Sequence, residues 1–138
     1  AAADLARANA TPTLAVLRAA ALGGVAARVM EMGPVPAVTA ALARAGLSVD
    51  ALDCIEAIEA FAAQACAVAS ELGFPSETTN PSGGAIALGH PVGASGAIIL
   101  IKLIYELRRI GGRFGLATMC IGGGQGIAVI VENPEAKV

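Results

Sequence analysis

The chain has 138 residues and a mass of 13.6 kDa, about one domain's worth of protein with material for a single hydrophobic core. Apolar residues make up 56% of it against 14% charged, which excludes a solvated disordered segment. A net charge of −2 without any run of Lys or Arg argues against nucleic acid as a partner.

With three Phe, one Tyr and no Trp, each buried side chain removes little area from water, so thin and closely packed layers are expected. Cys54, Cys66 and Cys120 cannot all pair with one another and lack the Cys-x-x-Cys spacing of a zinc site or redox pair. Free thiols, a reducing compartment and no metal site are expected. No basic segment leads into a short apolar core at the N-terminus, and the apolar stretch Ala94–Leu107 is short and carries Lys102 and Glu106. These features predict a soluble cytoplasmic protein that does not engage a membrane.

Residues 1–13 begin with an Ala-rich stretch without periodicity, which reads as a frayed or truncated stump ahead of a domain over 14–133 and a tail over 134–138. Leu14–Met30 is ambiguous: Ala and Arg favour a helix, Gly23-Gly24 interrupts one, and Leu14 with Val16 could open an alternating strand. Pro34 and Pro36 open a helix over Val35–Ala45 that Gly46 stops. Cys54–Ile58 suits a buried strand. Glu59–Leu72 follows as an Ala-rich helix closed by Gly73 and Pro75, with Glu59 in the first turn, where the helix dipole favours a carboxylate. Thr78–Ser95 is loop-like, with four Gly, two Pro and the only His. A helix over Ala94–Ile110 shows a stripe of Leu100, Leu103, Ile104 and Leu107. Phe114–Cys120 and Ile127–Val131 read as two strands joined by a Gly-rich turn. Strands separated by helices predict an α/β layer arrangement ending in an antiparallel pair.

Two segments invite a chemical reading. His90 closes Asn80-Pro81-Ser82-Gly83-Gly84-Ala85-Ile86-Ala87-Leu88-Gly89-His90-Pro91. An imidazole, with an ordinary pKa of about 6.5, can move a proton or hydrogen-bond an oxyanion, and Gly89 and Pro91 would fix its orientation. A turn histidine bonded for structure is the alternative. Cys120 precedes Ile121-Gly122-Gly123-Gly124, whose backbone N–H dipoles would favour thiolate and make it a reactive base or nucleophile; a buried strand cysteine before a hairpin is the alternative. These glycines open no helix, so a dinucleotide fingerprint is rejected. Cys54 and Cys66 lie in the apolar strand and the Ala-rich helix, and both are expected to be buried as small hydrophobes.

Glu59-Ala60-Phe61-Ala62-Ala63-Gln64, Gly83–Ala97 with its Gly-His-Pro, and Gly115–Gly124 with its Met-Cys-Ile-Gly-Gly-Gly closely resemble the C-terminal portion of thiolases, and Met32–Ala37 is similar to a further motif of that family. The resemblance runs from about Leu14 to Glu132. It implies acyl transfer between acyl-CoA and acetyl-CoA, or thiolysis of 3-oxoacyl-CoA, as in fatty-acid metabolism, with coenzyme A thioesters as substrates and no cofactor. The implied fold is one βαβαβαββ half, a mixed sheet covered by helices, with Leu14–Ala21 as its first strand.

By resemblance, His90 activates the acyl-accepting cysteine and contributes to an oxyanion hole. Cys120 acts as acid and base, the Gly122 N–H donates to a second oxyanion hole, and Ala60 with Phe61 walls the pantetheine thioester. The implied partners are an N-terminal half carrying the nucleophilic cysteine and, for the whole protein, further copies in a homo-oligomer.

Three departures bear on this reading. The family nucleophile matches nothing in these residues, so the chain alone should not complete a covalent acyl transfer. Ile58 stands where the family has the Asn of its Asn-Glu-Ala-Phe motif, a residue that holds a water donating to the first oxyanion hole, and Ile offers no hydrogen bond. Ser82 stands where many members have Asn. A non-catalytic thiolase-like module that binds acyl-CoA or another protein is the competing expectation.

Overall fold

The computed structural model describes residues 1–136. A mixed four-stranded sheet runs in the order β1-β4-β3-β2, from β1 (Val16–Gly24), β2 (Cys54–Ala57), β3 (Phe114–Ile121) and β4 (Gln125–Glu132). β4 pairs antiparallel with both β1 and β3, whereas β2 runs parallel to β3. The ambiguous segment after Leu14 is thus a strand, and its second part, Ala27–Met32, is a 3-10 turn. At the N-terminus a short helix α1 (Ala3–Ala8) buries none of its residues.

The helices close both faces of the sheet. α2 (Pro34–Ala45) starts on prolines at its first turn and ends on Gly46 in the left-handed conformation, as its sequence predicts. It buries Ala37, Val38, Ala41 and Leu42 in one core cluster with Ala19, Ala21, Ile55, Leu116, Ala128 and Ile130. α5 (Ser95–Ile110) buries Ile99, Leu103 and Leu107 in a second cluster with Cys54, Ile58, Ala117, Cys120 and Val131. A Cβ on Gly115 would come within 2.7 Å of Leu103, so the bare strand at that point lets the helix settle close. This is the thin layering that an Ala-rich, aromatic-poor composition requires.

Four details differ from the sequence expectation. The third β element of the βαβαβαββ order is a single parallel bridge between Thr79 and Ile55. Asn80, at φ 48°, and Pro81 turn the chain away before a ladder can grow. α3 spans Ala62–Leu72, three residues later than expected, because extended Phe61 caps it and the Gln64 side chain accepts the Ala60 N–H. Glu59 therefore lies outside the helix. Cys66 is exposed, since α3 buries only Gln64 and Val68. On α5 the fully buried line is Ile99, Leu103, Glu106 and Leu107, with Leu100 and Ile104 half-buried at its flank.

Candidate active site

The site is built at the end of β2, where the Ile58 N–H donates to the Thr118 carbonyl and carries the pairing one residue beyond the strand. Ile58 is 2% exposed and belongs to the cluster under α5 that also contains Cys120, with Ala60 packed against it. Directly after it, Glu59 reaches across to the loop. Its Oε1 accepts from Asn80 Nδ2 at 2.9 Å and its Oε2 from the Ile86 N–H at 3.1 Å. Asn80 in turn clasps the β2 main chain, accepting from Ala57 N and donating to Ala57 O, both at 2.9 Å. The loop then makes one helical turn, α4 (Ala85–Leu88), and leaves through Gly89 at φ 94°, a value that favours glycine, directly into His90.

His90 is half-buried, with its Nδ1 2.6 Å from Ser95 Oγ at the start of α5. Ser95 Oγ is also 3.0 Å from the Pro91 carbonyl. Nδ1 of the ring and Ser95 Oγ share a hydrogen bond whose direction follows the tautomer, and that bond fixes the orientation of the imidazole and turns Nε2 away from Ser95. The pattern is that of a base held by an orienting partner.

Cys120 lies near the end of β3 and is 9% exposed. Burial pushes its thiol above the ordinary value; a backbone hydrogen bond opposes this, and the Glu31 carboxylate adds to it. The thiolate expected from the glycine dipoles is corrected accordingly: desolvation outweighs them, and the resting group is a thiol. Cys54 is buried as expected, and desolvation first, then Glu56, push its thiol up to about 12. Gly122 opens an exposed turn in which Gly123 and Gly124 have positive φ, and a Cβ on Gly122 would meet nothing.

Two close approaches fix that turn. Val25 N donates to Gly124 O at 2.7 Å, and Gly33 and Gly126 meet main chain on main chain, where a Cβ on either would come within 2.2 Å of the other segment. The Met32-Gly33-Pro34 motif and the hairpin after Cys120 are thereby locked together.

The structure thus gathers Ile58, Ala60 and Cys120 into one packed group. His90 is tied to the same group through Ser95 and, one turn along α5, Ile99. Among the described residues no hydrogen bond joins His90 to Cys120. A cavity of about 20 Å³ lies between β2, the loop and α5, lined by Glu56, Ile58, Gly84, Gly89, Ser95 and Lys102 among others. That volume holds about one water. Phe61 stands apart, 62% exposed, on a groove shared with Arg28, Glu31, Met32 and Gln64.

Sequence reasoning missed the loop's fastenings, Glu59, Asn80 and the Glu56–Lys102 pair. Only one signal pointed to them: Glu56 interrupts an otherwise apolar strand, and Lys102 the apolar run Ala97–Ile104 of the helix. Among the described residues there is no group of side chains suited to a metal ion, and no helix is long and apolar enough to cross a membrane.

Residues 11–133 match the family described as "Thiolase, C-terminal domain". The chain is 59% identical over 110 residues to beta-ketothiolase BktB of Cupriavidus necator, an alignment covering 80% of this chain and 28% of that protein. It is 56% identical over 120 residues to the acetyl-CoA acetyltransferase of Escherichia coli, covering 87% of this chain and 30% of that one. The crystal structure of human mitochondrial 3-ketoacyl-CoA thiolase superposes with a TM-score of 0.95 at 45% identity, covering 97% of this chain and 34% of that chain. A second structure of that enzyme, in complex with CoA, superposes equally well. The chain therefore spans about three-tenths of the length of the curated relatives it matches. With the whole sheet, both helix layers and all its motifs accounted for in this way, the chain belongs to the thiolase family, as a C-terminal domain.

Proposed function

We propose that this domain supplies the acid–base half of a thiolase active site, acting on coenzyme A thioesters by transfer of an acyl group to or from acetyl-CoA. The observation that carries the reading is His90 held through Nδ1 by Ser95, on the helix that also packs against the Cys120 group. With Nδ1 engaged by Ser95, His90 is suited to take through Nε2 the proton of an acyl-accepting thiol on the remaining part of a thiolase. Cys120, a thiol at rest, is suited to protonate the sulfur of departing CoA, and once deprotonated to remove a proton α to a thioester. The Gly122 N–H, at an open turn beside it, is suited to hydrogen-bond the resulting enolate oxygen. The exposed Phe61 groove and half-buried Ala60 support a place for the pantetheine arm.

The partner implied by this division carries the nucleophilic cysteine. Ile98, Ile101 and Tyr105 of α5, with Ile86, Leu88 and Val92 of the loop, are all exposed and form the apolar surface on which we seat it. Free thiols at Cys54, Cys66 and Cys120 support a reducing compartment such as the cytoplasm. A role in fatty-acid metabolism and assembly into a homo-oligomer belong to the same reading.

The test joins this chain to a thiolase N-terminal half and follows CoA-dependent cleavage of acetoacetyl-CoA. Activity is expected, with losses of a hundredfold or more for His90→Ala and Cys120→Ser. No activity either with Ile58 or with Ile58→Asn overturns the proposal. A second reading, a non-catalytic acyl-CoA-binding module, is favoured by Ile58, whose buried aliphatic side chain lines the cavity where the family has a hydrogen-bonding Asn. It predicts acyl-CoA binding without exchange of the acetyl α-hydrogens into solvent.

A further inference from the structure

We infer that Lys102 is a positioning residue for His90, acting from two turns along the same helix; the inference rests on the reading of His90 given above. Ser95 and Lys102 are seven residues apart on α5, so they lie on one face, about 10.5 Å apart along the axis. The two side chains take hold of opposite ends of one loop segment. Ser95 holds His90, and Lys102 donates to the Gly83 carbonyl.

Lys102 is itself aimed by Glu56, whose Oε2 accepts from Nζ at 2.7 Å, and Glu56 is 1% exposed on β2. A buried ion pair adds little net stability, because desolvation of both charges offsets their attraction. Its consequence here is geometric: an ammonium with a fixed address and a second donor left over for a loop carbonyl. Between the two holds, the chain has only Gly83–Gly89 to arrange. There Glu59 fixes Ile86, and the Gly89 N–H returns to Ala85 O at 2.8 Å. The direction in which the chain enters His90 is therefore set by the helix at one end and by the Glu56–Lys102 pair at the other. The second Glu56 oxygen, Oε1, is buried without a protein partner beside the one-water cavity.

His90 is the only histidine, so its ring gives a single set of NMR signals. In the double variant Glu56→Gln/Lys102→Met no buried charge is left unpaired, while the hold on Gly83 is lost. The expected result is exchange of the Gly89 amide at least tenfold faster and a displaced or broadened His90 Hε1 resonance, with the β3 and β4 amides unchanged. Glu56→Gln alone removes the carboxylate that aims Lys102 and should move the His90 signal in the same direction as the double variant. A parent-like His90 signal and Gly89 exchange in the double variant overturn the inference.

Should the double variant not fold, the unmodified chain decides. Slowly exchanging Lys102 Nζ protons with contacts to Gly83 Hα support the clasp, and freely exchanging ones overturn it. None of these signals requires acyl transfer. A loosened loop in a chain that fails the thiolysis assay would therefore refute the catalytic reading and leave the clasp standing.

Discussion

Removing the Glu59 carboxylate should loosen the loop that carries His90, and the structure fixes the size of the effect. Glu59→Ala deletes two hydrogen bonds to an ionised acceptor, from Asn80 Nδ2 at 2.9 Å and from the Ile86 N–H at 3.1 Å. Such bonds contribute about 1.5–3 kcal/mol each. Ile86 is exposed and water replaces that bond cheaply, while Asn80 keeps both of its bonds to Ala57. The expected loss is about 2–3 kcal/mol. With a urea m-value of about 2 kcal/mol/M, the unfolding midpoint should fall by about 1–1.5 M at constant m. Gly84→Ala provides the control, because its Cβ would come within 2.1 Å of the Glu59 carboxyl carbon and push that side chain off both donors. The two substitutions remove the same contacts, so the double variant should cost less than the sum of the singles by about 1 kcal/mol or more. Additive costs, or a Glu59→Ala midpoint within about 0.3 M of the parent, would refute this account of how the loop is held.

Leu103→Ala should destabilise the chain by about 2–5 kcal/mol in the same urea assay, because Leu103 is fully buried where bare Gly115 admits it and no neighbour can fill the space. Cys54 has its folded-state thiol raised from about 9 to about 12, so the folded chain keeps a proton that the unfolded chain has lost. Stability should fall as pH rises from about 9 towards 12, by about 4 kcal/mol in all, and Cys54→Val should flatten that decline. Of the three thiols, exposed Cys66 should react first with a thiol reagent at neutral pH, with Cys54 and Cys120 far slower. Cys66→Ala should abolish the fast phase, and a surviving fast phase would contradict the burial of the other two.

Local signals carried the elements whose ends are made by proline and glycine. α2 lies between Pro34 and Gly46, and α5 stops at Gly111, because those residues act on their own backbone whatever the rest of the chain does. The start of α3 was misread because Phe61 and Gln64 provide its cap, and neither is a usual helix-start residue. β1 could not be separated from a helix, since its alanines become strand residues only by pairing with β4, more than a hundred positions away. In the site, His90 and Cys120 were legible as chemical types in unusual company. Their supports were not: Glu59, Asn80 and Lys102 act across 19 to 46 residues of chain, a distance over which sequence pattern carries no register. The state of the Cys120 thiol was likewise decided by its burial in the cluster under α5, with the charge of Glu31 adding to it, and not by its neighbouring glycines.

The contact of Gly33 with Gly126 has an evolutionary corollary. A methyl group at either position would force two polypeptide backbones apart, and no flexible side chain is present to yield. Neither residue can drift, and a shift in one segment drags the other as a rigid hinge pin would. Glu31 and Phe61 line an open groove instead, and neither takes part in that backbone contact.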